Sequence, residues 1–553
     1  MHGLFYIPEL ICLICEALRL DSLSHRNDSH DARKALATLA RTARLFREPA
    51  LSSLWYAQDT LANLVRVLPS YLWLEHEYTV RVLKASHSRQ ELASPRILIV
   101  TRTPTREEAA RLVFYSAFVK ELYMRCDSQV SIDFDGYLLH VSPFLDILQL
   151  RLLSFSSDAI RYAHALINPN IRAIELHGPW DASTMRESLC TVRAVCRALN
   201  SLRLHTTMSA PLESGTDTAA QELADFVTGL PLRHLRTSGR IADAGLQYLA
   251  RLSSLTSLEF TESAPGQAFP RGSFASLRDL KIICTSHAFA MSLFAAMDGC
   301  PLETLHCHSS SACSTPHLHA ILAELARGVS SRTLTQVAFS CNHFEDDDWP
   351  REDNLINLPI IAPLRVFPNL THVCVTSLDG CRFTDEELSE IGSWWRRARC
   401  ITLPGCNHAR GHPQATLCGV LALALQTPQL QELDVVFDMR DVRATIRDVR
   451  ALLRGGPQES LLTLGVGSSP ITSWNPAAAP EACGLRLEPH AGTVAQVLRL
   501  AFPRLAEVCV VDESDGWASE YDSEDWSALE AEYRARWLQV NANLSPIPAA
   551  VGT

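Results

Sequence analysis

One spacing recurs along most of this chain: an apolar residue, two variable residues, a second apolar residue, one variable residue and a third. Within residues 241–260 (IADAGLQYLARLSSLTSLEF), it follows a short amphipathic helix pattern and reads Leu255-x-x-Leu258-x-Phe260. The same frame, with aliphatic residues or cysteine allowed, starts at these anchor positions: Val119, Leu145, Ile171, Leu199, Leu232, Leu255, Leu277, Leu302, Leu334, Leu370, Leu430, Leu461 and Leu505. Such recurrence predicts a repeat protein, in which each strand shares a core with the next repeat.

The number of residues between successive anchors indicates the type of repeat. The first anchors follow one another at 26, 26 and 28 residues, within the range of about 20 to 29 residues that is typical of leucine-rich repeats. Residues 241–246 (IADAGL) and 383–388 (FTDEEL) are similar to the Ile-Thr-Asp-x-x-Leu link of the cysteine-containing leucine-rich repeats of F-box proteins, where Thr or Asp caps a helix. A doubly wound α/β domain also alternates strands and helices, but it has no fixed period and carries an early glycine-rich phosphate turn. The sequence favours the repeat protein.

Residues 1–57 predict three short helices. The first starts at Pro8, whose fixed φ suits a first helical turn, and the second covers about 32–43. A third segment runs from Pro49 to Trp55. A unit of this size has too little volume to bury all its apolar side chains, so we expect part of them to face a partner or the next domain.

Three sequence blocks resemble the F-box, in its fungal F-box-like form. They are residues 7–11 (IPELI), residues 39–46 (LARTARLF), and Pro49-Ala50 followed by Leu54-Trp55. The resemblance implies docking on the Skp-type adaptor of an SCF ubiquitin ligase and, through it, on cullin and RING subunits. The residues expected at this adaptor interface are Ile7, Pro8, Leu10, Ile11, Ile14, Leu18, Leu36, Leu39, Phe46, Leu54 and Trp55. The alternative is that these helices only cap the open end of the repeats.

The predicted fold class is therefore α/β: an N-terminal three-helix F-box-like unit followed by a leucine-rich-repeat solenoid, or horseshoe. The expected boundaries are 1–57 for the helical unit, 58–95 for a helical bridge, 96–511 for the solenoid, and 512–553 for an acidic C-terminal tail with a capping helix. On the concave strand face, the residues expected to meet a protein substrate are Glu175, His177, Arg203, His205, Glu259, Lys281, His306, His308, Glu432 and Asp434.

Charge and composition exclude several classes of function. The net charge is −11, but residues 512–532 contain nine acidic side chains and no Lys or Arg, so the rest of the chain is nearly neutral. Without a block of basic residues we expect no nucleic-acid binding. No apolar run approaches the 18 or so residues of a membrane span, and the N-terminus lacks the basic leader of a secretory signal. The 17 scattered cysteines suit reduced thiols in the cytoplasm, the nucleus or both.

Sequence motifs for catalysis are absent, so the chain is expected to be neither an enzyme nor a cofactor protein. Three groups have the residue types of zinc ligands: Cys12 with Cys15; His306, Cys307, His308, Cys313, His317 and His319; and Cys406, His408, His412 and Cys418. Their spacing favours core cysteines and surface histidines, and we predict no metal site. Three functional hypotheses remain: a substrate receptor of a ubiquitin ligase, a leucine-rich-repeat interaction scaffold outside ubiquitination, and, least favoured, a zinc-dependent activity at the Cys and His clusters.

Overall fold

A computed structural model of the chain describes residues 7–24, 29–77, 96–124, 130–132, 150–156, 166–177, 182–205, 216–262, 268–309, 314–341, 355–377, 380–405, 413–440, 442–467, 469–471, 490–510 and 524–544. The chain divides into two compact units, Met1–Tyr248 and Leu249–Thr553. In the described residues no helix is both long enough and apolar enough to cross a membrane.

The first unit opens with three helices packed around a small core. They are α1 (Pro8–Ser24), α2 (Ser29–Thr42) and α3 (Arg44–Trp55). The first helix begins at the predicted proline, whereas the third begins at Arg44 and continues through Pro49. Each helix contributes to one buried cluster, formed by Ile11, Cys15, Leu36 and Ala50.

The remaining elements of the first unit alternate between strands and helices. The strands are β1 (Ala57–Gln58), β2 (Trp73–Glu77), β3 (Arg96–Val100), β4 (Glu121–Met124), β5 (Val130–Ile132), β6 (Leu152–Ser156), β7 (Ala173–His177), β8 (Ser201–His205) and β9 (His234–Arg240). The helices are α4 (Ala62–Val65), α5 (Ala110–Ser116), α6 (Ala182–Val195), α7 (Thr216–Val227) and α8 (Asp243–Ala250), the last of which contains the boundary between the units.

Two sheets form from the strands of the first unit. The larger has the order β1-β4-β6-β7-β8-β9, and every neighbouring pair is parallel. The smaller has the order β2-β3-β5, with β2 antiparallel to β3. The segment that was expected to be a helical bridge therefore contains a strand, because Trp73–Glu77 pairs with the β-branched run at 97–100. A tertiary pairing of this kind overrides local helix preference.

The second unit repeats strand and helix more regularly. Its strands are β10 (Ser257–Thr261), β11 (Asp279–Cys284), β12 (Thr304–Ser309), β13 (Gln336–Cys341), β14 (His372–Ser377), β15 (Cys400–Leu403), β16 (Glu432–Val435), β17 (Thr463–Gly465) and β18 (Glu507–Cys509), which pair in this order, all parallel. Its helices are α9 (His287–Ala296), α10 (Thr315–Gly328), α11 (Leu358–Ile361), α12 (Asp385–Trp394), α13 (Leu417–Gln426), α14 (Val442–Leu452), α15 (His490–Ala501) and α16 (Glu524–Leu544).

The anchors explain where each strand starts. Every predicted anchor that the structure describes is buried, with 0% to 6% of its surface exposed, and lies two residues before a strand. Along each strand, alternate side chains point into the core, as Leu305 and Cys307 do in β12 and Val337 and Phe339 do in β13. The predicted α/β class with repeated parallel strands is confirmed. Leu145 lies outside the described residues.

Candidate functional site

Helix α1 has one apolar side in the core and another that is exposed. On the inner side, Ile11 and Cys15 are 1% and 0% exposed. On the outer side, Ile7, Leu13, Ile14 and Leu20 are 43%, 63%, 49% and 52% exposed. These four residues, together with the half-buried Leu10, recur at helical spacing and are named the α1 stripe. A continuous apolar stripe on a surface helix is typical of helix-in-groove recognition.

The residues predicted at the adaptor interface differ in how far they are exposed to solvent. Ile7, Pro8 and Ile14 are exposed and Leu10 is half-buried, whereas Ile11 and Leu36 belong to the core. The rest are partly buried: Leu18, Leu39, Phe46 and Leu54 pack on that core, and Trp55 contacts Tyr115 in a tilted arrangement with ring centroids 4.7 Å apart. Sequence reasoning missed the exposed Leu13, Leu20 and Leu45. The first two share the spacing of Leu10, and that spacing was the available signal.

Contacts at the end of α1 hold the helix in place. The Arg19 side chain donates to the Glu16 carboxylate and lies over the Tyr56 ring, 4.3 Å from its centroid. The hydrogen bond from Arg19 lowers the pKa of Glu16. Because Tyr56 directly follows α3, this contact joins the end of α1 to the start of the sheet.

In the first unit, the predicted substrate-facing residues of β7 and β8 lie next to one another. The register pairs Glu175 with Arg203 and His177 with His205. Nε2 of His205 lies 3.0 Å from Glu175 Oε1, and Nε2 of His177 lies 3.5 Å from the same oxygen. The two imidazole rings stack with centroids 4.6 Å apart and an interplanar angle of 7°. Glu175, His177 and His205 therefore converge on one point of the outward strand face.

A polar cavity of about 520 Å³ lies at the start of these strands. It is lined by Arg151, Asn170, Arg172 and Asn200. The two arginines directly precede the neighbouring strands β6 and β7, and the Arg172 N–H donates to the Arg151 carbonyl oxygen at 2.8 Å. Neither guanidinium forms an ion pair with any residue that the structure describes. The described lining residues of this cavity therefore carry two positive charges and no acidic group, which favours anions.

In the second unit, several predicted substrate-facing residues contact one another. Lys281 Nζ lies 3.0 Å from Glu259 Oε1 across neighbouring strands, and His306 is next to Lys281 in the register. Burial, followed by the charge of Lys281, lowers the pKa of His306. Nδ1 of His308 lies 3.2 Å from the Ser340 hydroxyl, and burial lowers the pKa of that imidazole as well. Both histidines are therefore more often neutral than free histidine at the same pH.

The two acidic residues of β16 differ in environment. Glu432 is exposed, whereas Oδ1 of Asp434 is buried and has no hydrogen-bond partner among the described residues. Burial raises the pKa of Asp434 to about 6. The side chain lies over Gly465, where an added Cβ would be 2.6 Å from Asp434 Oδ1. The Asp434 side chain thus packs between strands and does not act as an exposed surface charge.

The described members of the Cys and His clusters lie in different environments. Cys12 is exposed, whereas Cys15 and Cys307 are buried. His317 stacks on His287 with centroids 3.7 Å apart, and His319 Nδ1 lies 3.1 Å from the Pro359 carbonyl oxygen. The last predicted cluster, apart from Cys418, lies outside the described residues, as does Cys313. Within the described part of the chain, one ligand atom each of Glu175, His177 and His205 lies within 4.8 Å of the other two.

Comparisons with known proteins find little similarity. No family model matches this chain, and no curated protein matches it. Among solved structures, the chain is similar to a chain in the crystal structure of the Rad7 and Elc1 complex in yeast, with a TM-score of 0.34 and 17% sequence identity. The match covers 70% of this chain and 79% of that one.

Proposed function

We propose that this protein is a substrate receptor of an SCF-type ubiquitin ligase. Its N-terminal helices would bind a Skp-type adaptor, and its repeats would bind a protein substrate. The observation that carries the proposal is the α1 stripe, an exposed apolar face on a three-helix unit whose sequence resembles the F-box. By that resemblance, cullin and RING subunits would join through the adaptor, and the transfer chemistry would belong to them.

Helix α1 suits a docking role because its own core holds it in shape. Its inner face is fixed by Ile11 and Cys15 in the core, so the helix is formed before any partner arrives. Preformed elements lose little conformational entropy on binding, and large apolar side chains in such elements dominate binding energy. The stripe offers four exposed aliphatic side chains that the first unit itself leaves uncovered.

The proposal is tested by binding of the full-length protein to a purified Skp-type adaptor. We expect Leu13→Asp combined with Ile14→Asp to weaken binding at least thirtyfold, because losing two apolar anchors costs about 2 to 4 kcal/mol. Both residues are exposed, so the fold should tolerate the change, whereas Asp at the buried Ile11 would unfold the helical unit. The matched control is Leu538→Asp, at a 52% exposed leucine of α16.

Binding by the parent and the Leu538→Asp protein, and loss in the double variant, would support the adaptor role. No binding by the folded parent protein would rule it out. Equal loss in the control would also contradict it, because the effect would then come from added charge rather than from the stripe.

A second candidate is a repeat scaffold in which the helices cap the edge of the sheet. It is favoured by the connection between α3 and the first strands. Strand β1 pairs with β4, and the N–H groups of Lys120 and Glu121 both donate to the Tyr56 carbonyl oxygen at 2.9 Å. Trp55 packs against Tyr115 beside them. Capping explains these contacts and leaves the α1 stripe without a role, and it predicts no adaptor binding at any concentration.

A further inference from the structure

We propose that Glu175, His177 and His205 form a binding site for a divalent transition metal of the zinc class. This inference is independent of the proposed ligase role. It rests on three side chains from two neighbouring strands whose ligand atoms all lie within 4.8 Å of one another.

The distances suit zinc. Zinc bonds to histidine nitrogen and carboxylate oxygen of about 2.0 to 2.2 Å place neighbouring ligands of a tetrahedral site roughly 3.3 to 3.6 Å apart. Here Glu175 Oε1 lies 3.0 Å from Nε2 of His205 and 3.5 Å from Nε2 of His177. Shifts of a few tenths of an ångström would bring both pairs to that spacing. The two imidazole rings stack at an interplanar angle of 7°, so zinc binding also requires the rings to turn about χ2 until both Nε2 atoms point at one ion.

The strands hold the ligands in position. Glu175 and His177 are two residues apart on β7 and so project on the same face, and His205 is directly opposite His177 on β8. The intervening Leu176 and the facing Leu204 are each 1% exposed, so the backbone beneath the site is fixed in the core. Sites built on regular elements with packed support are more precise than sites on loops.

The donor set selects the type of metal. Two imidazoles and one carboxylate form a ligand set for zinc with a fourth position left open. Calcium takes six to eight oxygen ligands, and magnesium prefers oxygen with several retained waters. The side chains of His177 and His205 are 38% and 37% exposed and that of Glu175 is 15% exposed, so an ion can enter from solvent.

A neighbouring polar group gives separate support. Ser154 lies next to Glu175 in the register, on β6. Its hydroxyl is buried and has no hydrogen-bond partner among the described residues. Buried hydroxyl groups usually have such a partner, and water on the open position of a bound metal is one candidate. A donor side chain from a binding partner could occupy the same open position.

The test measures zinc binding by the full-length protein after treatment with a chelator and dialysis. The probe is Zn²⁺ alone, followed by calorimetry and by metal analysis. We expect His177→Ala combined with His205→Ala to remove one equivalent of zinc and Glu175→Gln to weaken binding at this site at least tenfold. The matched control is His306→Ala combined with His308→Ala, which removes two histidines from the outward face of a single strand and should retain the full equivalent.

Cobalt gives a second readout, which distinguishes metal binding from a purely structural role of the two histidines. Co²⁺ bound at this site should show the visible absorption of a four-coordinate ion in the parent protein and not in the histidine double variant. Thermal unfolding of every variant checks that each is folded. Equal zinc stoichiometry in the parent and the double variant would overturn the site, and displacement of zinc by millimolar Mg²⁺ would overturn the metal class.

Discussion

The buried carboxyl group of Asp434 makes the stability of the second unit depend on pH. In the unfolded chain this group ionises near its ordinary pKa of 3.8, whereas burial raises the folded-state pKa to about 6. Well below pH 3.8 both states are protonated, and the stabilisation that comes from the raised pKa is fully present. As the pH rises from about 4 toward 6, the unfolded state loses its proton while the folded state still holds it, so this stabilisation decreases. Well above pH 6 both states are ionised and the stabilisation is gone.

Asp434→Asn should remove this dependence. The amide has nearly the same shape and no charge. We therefore expect the difference in unfolding free energy between variant and parent to shift in favour of the variant by about 1 to 3 kcal/mol from pH 4 to pH 8. The measurement is the unfolding midpoint of both proteins at several pH values between 4 and 8. A difference that stays constant over that range would contradict the prediction.

Zinc-ligand geometry at Glu175, His177 and His205 was partly readable from the sequence. All three residues were assigned to one strand face. His177 and His205 lie six residues after the anchors Ile171 and Leu199, so the register of a parallel sheet puts them side by side. What spacing does not show is that both rings turn toward one oxygen of Glu175, because that depends on side-chain rotamers.

At the scale of elements, the helix pair α12 and α13 depends on two glycines. An added Cβ at Gly392 would be 2.8 Å from the Leu423 carbonyl oxygen, and one at Gly419 would be 2.4 Å from Asp385 Oδ1. Asp385 accepts hydrogen bonds from the Thr416 backbone and hydroxyl at 2.6 and 2.7 Å, at the start of α13. One helix therefore caps its neighbour, and that link needs close contact between the two.

Gly392→Ala should destabilise the second unit. Alanine usually stabilises a helix by about 1 kcal/mol relative to glycine, but the clash with backbone atoms of Leu423 costs about 1 to 3 kcal/mol. We expect a net lowering of the thermal midpoint by a few degrees. Gly492→Ala in α15 is the matched control, because nothing lies within 4 Å of its added Cβ, and it should raise the midpoint or leave it unchanged.

Repeat elements were predictable because their anchors have one role in every repeat. The predicted cap of the FTDEEL link is confirmed: Thr384 accepts from the Glu387 N–H at 3.2 Å, and Glu387 accepts from the Thr384 N–H at 2.8 Å. Strand β6 was missed because two frames overlap there: its buried anchor is Leu150, whereas the frame was started at Leu145. Strand β15 was missed because the small Ala398 holds its anchor position. Alanine does not stand out in an apolar pattern, so only its tertiary environment identifies it.

Helix α1 marks another limit of sequence reasoning. Its periodicity predicted that its apolar residues contact a partner. In the structure, however, the helix is apolar on two adjacent faces. Ile11 lies in the core while Leu13 lies on the surface. A hydrophobic period alone cannot distinguish the face that α2 and α3 cover from the face left for a partner.

For the whole molecule, buried thiols report whether each unit is folded. Cys196 of the first unit is 0% exposed and Cys300 of the second is 1% exposed. Burial raises the pKa of Cys196 to about 11 and that of Cys300 to about 12. Both thiols donate to backbone carbonyl oxygens, Cys196 to Asn168 and Cys300 to Phe274 and Leu277. Cys12 and Cys190, in contrast, are exposed.

Alkylation at pH 8 should therefore separate these cysteines. The reactive species is the thiolate, and a thiol with a pKa near 12 is ionised in only about one molecule in ten thousand at that pH. We expect iodoacetamide to modify Cys12 and Cys190 at least a hundred times faster than Cys196 and Cys300, as followed by peptide mass spectrometry. Adding urea should expose Cys196 when the first unit unfolds and Cys300 when the second does, which gives each unit its own midpoint. Rapid labelling of Cys196 or Cys300 without urea would show that the corresponding unit is not packed in solution as described.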